Sequence, residues 1–199
     1  LQPVLKQLIE ADVITAVAMN GSAAIHDFEV SLIGATSEEV GDVLHSGDFG
    51  FSEETGFGMN QALKEGLPEG VGFAQAIGES ILSNKHPFSS YSLLASCVEN
   101  DVPVTVHVAI GTDIIHQHHE FDGAVTGEMS ARDFRLLTSV VTDLRGGVRL
   151  NVGSAVIMPE VFVKALSIAQ NLGHKVYDFT TANFDMNQHY RPMQNVIKR

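Results

Sequence analysis

The chain has 199 residues, 44% of them hydrophobic and 18% charged, which is enough for one sizeable α/β domain or two small ones and too apolar for a disordered chain. Its 24 Asp and Glu against 12 Lys and Arg leave a formal net charge of −12. That balance argues against a nucleic-acid partner, which is held by Lys and Arg, and suits a cationic ligand.

A single cysteine, Cys97, excludes an intrachain disulfide and points to the reducing cytoplasm. No run reaches the roughly 18 uninterrupted apolar residues of a membrane span, and the start has no basic signal-peptide region, so no membrane partner is expected. The first residue is Leu1, and the chain opens on the amphipathic segment Val4, Leu5, Leu8, Ile9. A further part upstream is therefore expected. The high apolar content also implies burial of surface against other copies of the chain, as a homo-oligomer and most simply a tetramer.

In chain order, Val13–Met19 reads as a buried parallel strand ending in Asn20-Gly21-Ser22. A helix follows with Ile25, Phe28, Leu32 and Ile33 on one face, and His26-Asp27 near its start reads as capping. Thr36-Ser37-Glu38-Glu39 is a capping-box pattern that starts a short helix with Val40, Val43 and Leu44 inward, ending near Gly47. Asp48 to Pro68, rich in glycine and acids, reads as a long mobile loop around a short helix at 60–65. Gly72–Ser83 and Ser89–Glu99 read as a helical pair, with Cys97 as a small buried hydrophobe. Val104–Ile110 is a buried strand, broken by Gly111-Thr112-Asp113. Ser130 is positioned to cap a helix through Phe134, Leu137, Val141 and Leu144 that stops at Gly146-Gly147. A strand over Val148–Val152, a helix from Pro159 to Gly173 and a strand over Lys175–Thr180 complete the pattern. Strands alternating with helices predict a Rossmann-like, doubly wound α/β fold, its mostly parallel sheet covered by helices on both faces and the whole chain, 1–199, forming one domain.

Each predicted strand runs into small or polar residues: Asn20-Gly21-Ser22, Gly111-Thr112-Asp113, Asn151-Val152-Gly153-Ser154 and Thr180-Thr181-Ala182-Asn183. Along the carboxyl edge of a parallel sheet, such residues let a nucleotide approach the backbone and hydrogen-bond its ribose and phosphates. Turns use the same residue types for their own geometry, and no G-x-G-x-x-G is present. The densest ionisable cluster runs from His107 to Glu120 and includes Asp113, His116, His118 and His119. It offers two chemistries. Either Asp113 binds a cationic amine while a histidine, His116, moves protons, or the imidazoles and carboxylates form a zinc or iron site of a metal-dependent hydrolase, although no recognised ligand spacing is present. Ser22 and Ser154 lack a nucleophile-elbow motif. The closing stretch Asn183–Pro192 is aromatic and polar enough to fold over a site.

The runs Asn20–Glu29, Val106–His116, Gly153–Phe162 and Thr180–Asp185 together make the chain resemble the bacterial deoxyhypusine synthase-like proteins from about Val13 to its end. The resemblance implies a Rossmann-like homotetramer in which NAD takes a hydride from a polyamine and the resulting imine passes an aminoalkyl group to an amine, by way of an active-site lysine. By position it implies cofactor contacts at Asn20, Gly21, Ser22, Gly146, Gly147, Thr181 and Ala182, to which the strand-end reading adds Gly111 and Thr112. Asp113 falls on an aspartate that binds the polyamine amine, Asn151 lies near the place of a polyamine-site histidine, and Asp185 joins them on the substrate side. Lys198 stands near, but two residues ahead of, the nucleophilic lysine; Gln194 replaces a glutamate and the chain has no Trp. The expected catalytic pair is His116 and Lys198, with no metal. The readings that remain beside this enzyme are a non-catalytic nucleotide-binding oligomer and the metal-dependent hydrolase.

Overall fold

In the computed structural model, which describes residues 1–37, 47 and 49–198, the chain folds as two units, Leu1–Asp133 and Phe134–Arg199. The predicted short helix with Val40, Val43 and Leu44 lies outside the described residues.

The first unit begins with α1 (Gln2–Glu10), followed by β1 (Val17–Asn20) and α2 (Gly21–Ile33). β1 is shorter than the apolar run predicts: Val13 is exposed, and pairing starts only at Val17. On α2, Ile25 and Phe28 enter the core as expected, whereas Ile33 is exposed. The predicted loop over 48–68 is largely a 17-residue helix, α3 (Glu53–Glu69). Its glycines, which read as loop formers, are contact points. A Cβ on Gly58 would meet the Phe28 ring at 2.8 Å, and one on Gly66 would meet the Ala76 methyl at 2.7 Å. Close helix packing selects glycine here despite its cost of roughly 1 kcal/mol per helical site.

α4 (Phe73–Ser83) follows as expected, while the next predicted helix divides into a 3₁₀ turn at Ser89–Tyr91 and α5 (Leu93–Glu99). Ser92 separates the two, its Oγ accepting the Ala95 N–H. Asp27 does not cap its own helix. Only 2% exposed, its carboxylate accepts the N–H groups of Leu93 (2.8 Å) and Leu94 (3.2 Å), the Ser92 hydroxyl and the Gln2 amide, and so ties α1 and the start of α5 to α2. Burial raises its pKa against those bonds.

β2 (Val104–His107) is buried throughout and pairs in parallel with β1, Val17 opposite Val104 and Asn20 opposite His107. The predicted extension to Ile110 is not strand. The helix expected from Ser130 starts earlier, as α6 (Gly123–Thr142). Asp122 Oδ1 accepts the Ala124 and Val125 N–H groups at its start, and Ser130 lies inside it. Phe73, Ile77, Ile81, Leu94, Met59, Val106 and Met129 form the centre of this unit's core.

The second unit holds β3 (Val148–Val152), α7 (Ile157–Asn171) and β4 (Thr180–Phe184), then a helical turn at Tyr190–Pro192 continued by a single π-turn over Met193–Ile197. β4 lies beyond the apolar run that predicted a strand at 175–180, and pairs in parallel with β3, Val148 opposite Thr180 and Val152 opposite Phe184. The class is α/β with parallel strands, and among the described residues the strands form two sheets of two, β1–β2 and β3–β4, with no doubly wound sheet. No helix of the described residues is long and apolar enough to cross a membrane.

Candidate functional site

Asn20 ends β1 in extended backbone and caps α2, its Oδ1 accepting the Ala23 N–H at 2.9 Å. Its register partner His107 ends β2, and both strands therefore finish at one edge of the first unit. Beyond His107 the chain reverses: Gly111 takes a left-handed φ of +97°, and Thr112 returns its N–H and its hydroxyl to the Ala109 carbonyl. A 3₁₀ turn at Ile114–His116 follows, closed reciprocally by Asp113 and His116.

This turn brings Asp113 onto the first turn of α2. Ser22 Oγ donates to Asp113 Oδ1 at 2.9 Å, and Oδ2 lies where a Cβ on Gly21 would be 2.1 Å away. Asp113 is 8% exposed, and its Oδ2 has no hydrogen-bond partner among the described residues. Buried polar atoms are nearly always paired, and an unpaired carboxylate oxygen is costly. No Lys, Arg or His forms an ion pair with Asp113 among the described residues.

The neighbouring imidazole carries the complementary group. His116 Nδ1 accepts the backbone N–H of Gly111 and of Asp113, each at 3.2 Å, so the ring proton sits on Nε2, which is buried without a partner among the described residues. Burial lowers the pKa of His116, outweighing the pull of Asp113, and the ring packs edge-to-face on Phe121 at 5.2 Å. The ring is therefore neutral at pH 7 and acts as a donor. It takes up a proton poorly, because the only free lone pair already faces two N–H groups. The expected proton carrier is arranged as a hydrogen-bond donor.

The structure thus brings together Asn20, Gly21, Ser22, Gly111, Thr112, Asp113 and His116. The other histidines of the run go elsewhere. His107, 4% exposed, meets Thr105 Oγ1 at 3.0 Å, and burial pushes its pKa down to about 4. His118 faces Glu53 on α3, away from His107, and not all of the run's histidines gather at one point. Cys97, fully buried, has its thiol pushed up to about 12 and is inert.

The remaining expected residues belong to the second unit. Gly146 N–H is taken by the Asp178 carbonyl, Gly147 N–H by Leu144, and Thr181 Oγ1 donates to the Val196 carbonyl at 2.6 Å. Ala182 pairs with Leu150 within the sheet. Asn151, 2% exposed, donates from Nδ2 to the Ser154 carbonyl (2.9 Å) and to Asn183 Oδ1 (2.6 Å). Asp185 accepts the Asn187 N–H, and Lys198 is exposed. The closing stretch packs on its own unit, with Arg191 and Asn195 both donating to Glu160 Oε1 of α7. Arg149, which no sequence motif marks, lies 4.4 Å above the Phe162 ring, with Nη1 buried and unpartnered among the described residues. Its place among alternating residues of a strand carried no signal for that role.

These residues do not fit a dinucleotide as they stand. The pyrophosphate of such a cofactor belongs at the first helix N-terminus, and the Asp113 carboxylate is already at the first turn of α2. The side-chain groups of Asn20, Ser22, Thr112 and Thr181 are engaged within the chain. No protein-family model, curated protein or solved structure matches the chain.

Proposed function

We propose that the chain binds a small cationic amine at Asp113. The observation that carries this reading is the pair of buried atoms unpartnered among the described residues and carried by one turn, three residues apart: Asp113 Oδ2 as acceptor and His116 Nε2–H as donor. An ammonium group satisfies the first, and a neutral oxygen or nitrogen lone pair a few atoms along the same ligand satisfies the second. A second amine that has lost its proton, or a hydroxyl, has that chemistry. The net charge of −12 draws such a cation toward the protein.

The resemblance to the deoxyhypusine synthase-like proteins extends the reading to a polyamine, a cytoplasmic homo-oligomer and a doubly wound arrangement of the strands. Amine recognition is supported from two sides, by the resemblance and by the unpartnered pair. The NAD-dependent transfer rests on the resemblance alone, and the internally engaged strand-end groups favour a binding role without that cofactor.

The turn that carries the pair reaches the surface at Ile110, Gly111 and Thr112, which are exposed. Calorimetric titration with spermidine tests the site. One equivalent is expected to bind the wild type, with Asp113→Asn weakening it ten- to a hundredfold, since a charge-assisted hydrogen bond contributes about 1.5–3 kcal/mol. Equal affinity in the two proteins overturns the assignment.

A further inference from the structure

Three side chains outside the amine site converge at the start of α3. Glu53, the first residue of that helix, places Oε2 3.1 Å from His118 Nε2, and a ligating atom of His119 lies with these two inside a span of 4.8 Å. The His118 and His119 rings are neighbours, centroids 4.3 Å apart. The arrangement is anchored on one side and open on the other. His118 is 7% exposed and its ring is seated against Gly56, where a Cβ would lie 2.4 Å from Cδ2. The side chains of Glu53 and His119 are 67% and 69% exposed.

We infer that Glu53, His118 and His119 form a binding site for a divalent transition-metal ion of the zinc type. Two imidazoles and one carboxylate are a borderline-soft donor set that suits zinc better than magnesium or calcium. Tetrahedral bonds of 2.0–2.1 Å set ligand atoms roughly 3.3 Å apart. The His118–Glu53 pair already has nearly that separation, and the exposed His119 side chain, whose Nε2 now lies 3.6 Å from Glu120 Oε1, has only to turn inward from that contact. Three protein ligands with an exposed face leave a fourth position for water or an incoming group. Binding at His118 Nε2 transfers the ring proton to Nδ1, which now accepts the Glu120 N–H at 3.2 Å. The cost is that hydrogen bond, between residues two apart, and the one between His118 Nε2 and Glu53 Oε2, whose two atoms become ligands. His118 directly follows the turn that carries Asp113 and His116, so a bound ion would staple this segment to α3 across 65 residues of sequence.

The test uses the whole chain, freed of metal with a chelator and titrated with Zn²⁺ and Co²⁺. One Zn²⁺ per chain is expected, and Co²⁺ should develop the intense visible absorption of four-coordinate nitrogen–oxygen ligation. H118A, H119A and E53Q should each weaken binding tenfold or more, whereas H174A, at an exposed histidine in the other unit, should leave it unchanged. Because His119 is exposed, H119A keeps the fold intact even if H118A does not. Zinc affinity unaltered in H119A and E53Q, or lost equally in H174A, overturns the site.

Discussion

Gly21 and Asp113 are in contact through an absence: the carboxylate Oδ2 fills the place where any side chain at position 21 would begin, 2.1 Å from an added Cβ. Gly21→Ala should therefore push Asp113 and its turn away from α2. Alanine is the better helix former by roughly 1 kcal/mol, yet overpacking costs about 1–3 kcal/mol. A net loss of stability in denaturant titration, together with weakened spermidine binding, is expected. The double variant with Asp113→Ala should recover stability, since it removes the colliding atom. An additive double-mutant cycle would refute the contact.

Two buried groups should bend the pH dependence of stability in opposite directions. Burial raises Asp133 to about 7, against N–H donors from Val106, Ala74 and Phe73. A carboxyl group raised in the folded state contributes stability below its unfolded pKa near 3.8 that is lost as pH climbs through 7. His107, lowered from 6.5 to about 4, contributes stability above 6.5 that is lost as pH falls through 4. Over pH 4–7 the two oppose each other, each at most by about 3–4 kcal/mol. Urea titrations across this range should show Asp133→Asn losing stability more steeply toward acid than the wild type, and His107→Gln less steeply. Parallel curves for all three proteins would contradict the burial argument.

Glu160 should hold the end of the chain to α7. Lys164, Arg191 and Asn195 all donate to its carboxylate, and Lys164 with Arg191 brings its pKa down to about 2. A lowered carboxylate contributes stability above its unfolded value near 4.5, lost as pH falls through 2. Glu160→Gln should raise amide exchange in residues 190–197 several-fold at pH 7 and leave α4 unaffected. Wild-type protection in that segment would show that the clamp is ornamental.

The sheet β3–β4 is inverted relative to the usual alternation. Val148, Leu150, Val152 and Phe184 share one face and are 62%, 56%, 52% and 56% exposed, while Asn151 on the other face is buried and Arg149 lies over Phe162. An exposed apolar patch of this kind is a candidate surface for self-association. Light scattering at micromolar concentration should find a dimer or larger wild type, with Leu150→Lys shifting it toward monomer while far-UV dichroism is unchanged. A monomeric wild type would remove self-association from the account.

Much of this was readable beforehand at the level of single elements. α4, α7 and β3 followed from periodicity and caps, and the strand end at Asn20 followed from polar residues after an apolar run. What escaped was anything set by contact at a distance. Gly58 and Gly66 look like loop residues until Phe28 and Ala76 are seen against them, and Asp27 looks like a local cap until its donors prove to lie 65 to 67 residues on. Nothing near Glu53 in sequence announces His118. The tautomer of His116, which decides between donor and proton carrier, depends on two backbone N–H groups that no spacing rule describes.

The reach of Asp27 has a kinetic side. The opening N–H groups of α5 find their acceptor on a different helix, with the 17-residue α3 and the whole of α4 threaded between them. A seven-residue helix cannot persist alone in water, so α5 must wait for α2 to arrive, and the closure of that long loop is an entropic toll levied before the contact repays it. The amides of Leu93 and Leu94 therefore open only when α2 separates, and their exchange reports the rupture of the first unit as a whole instead of the fraying of a short helix.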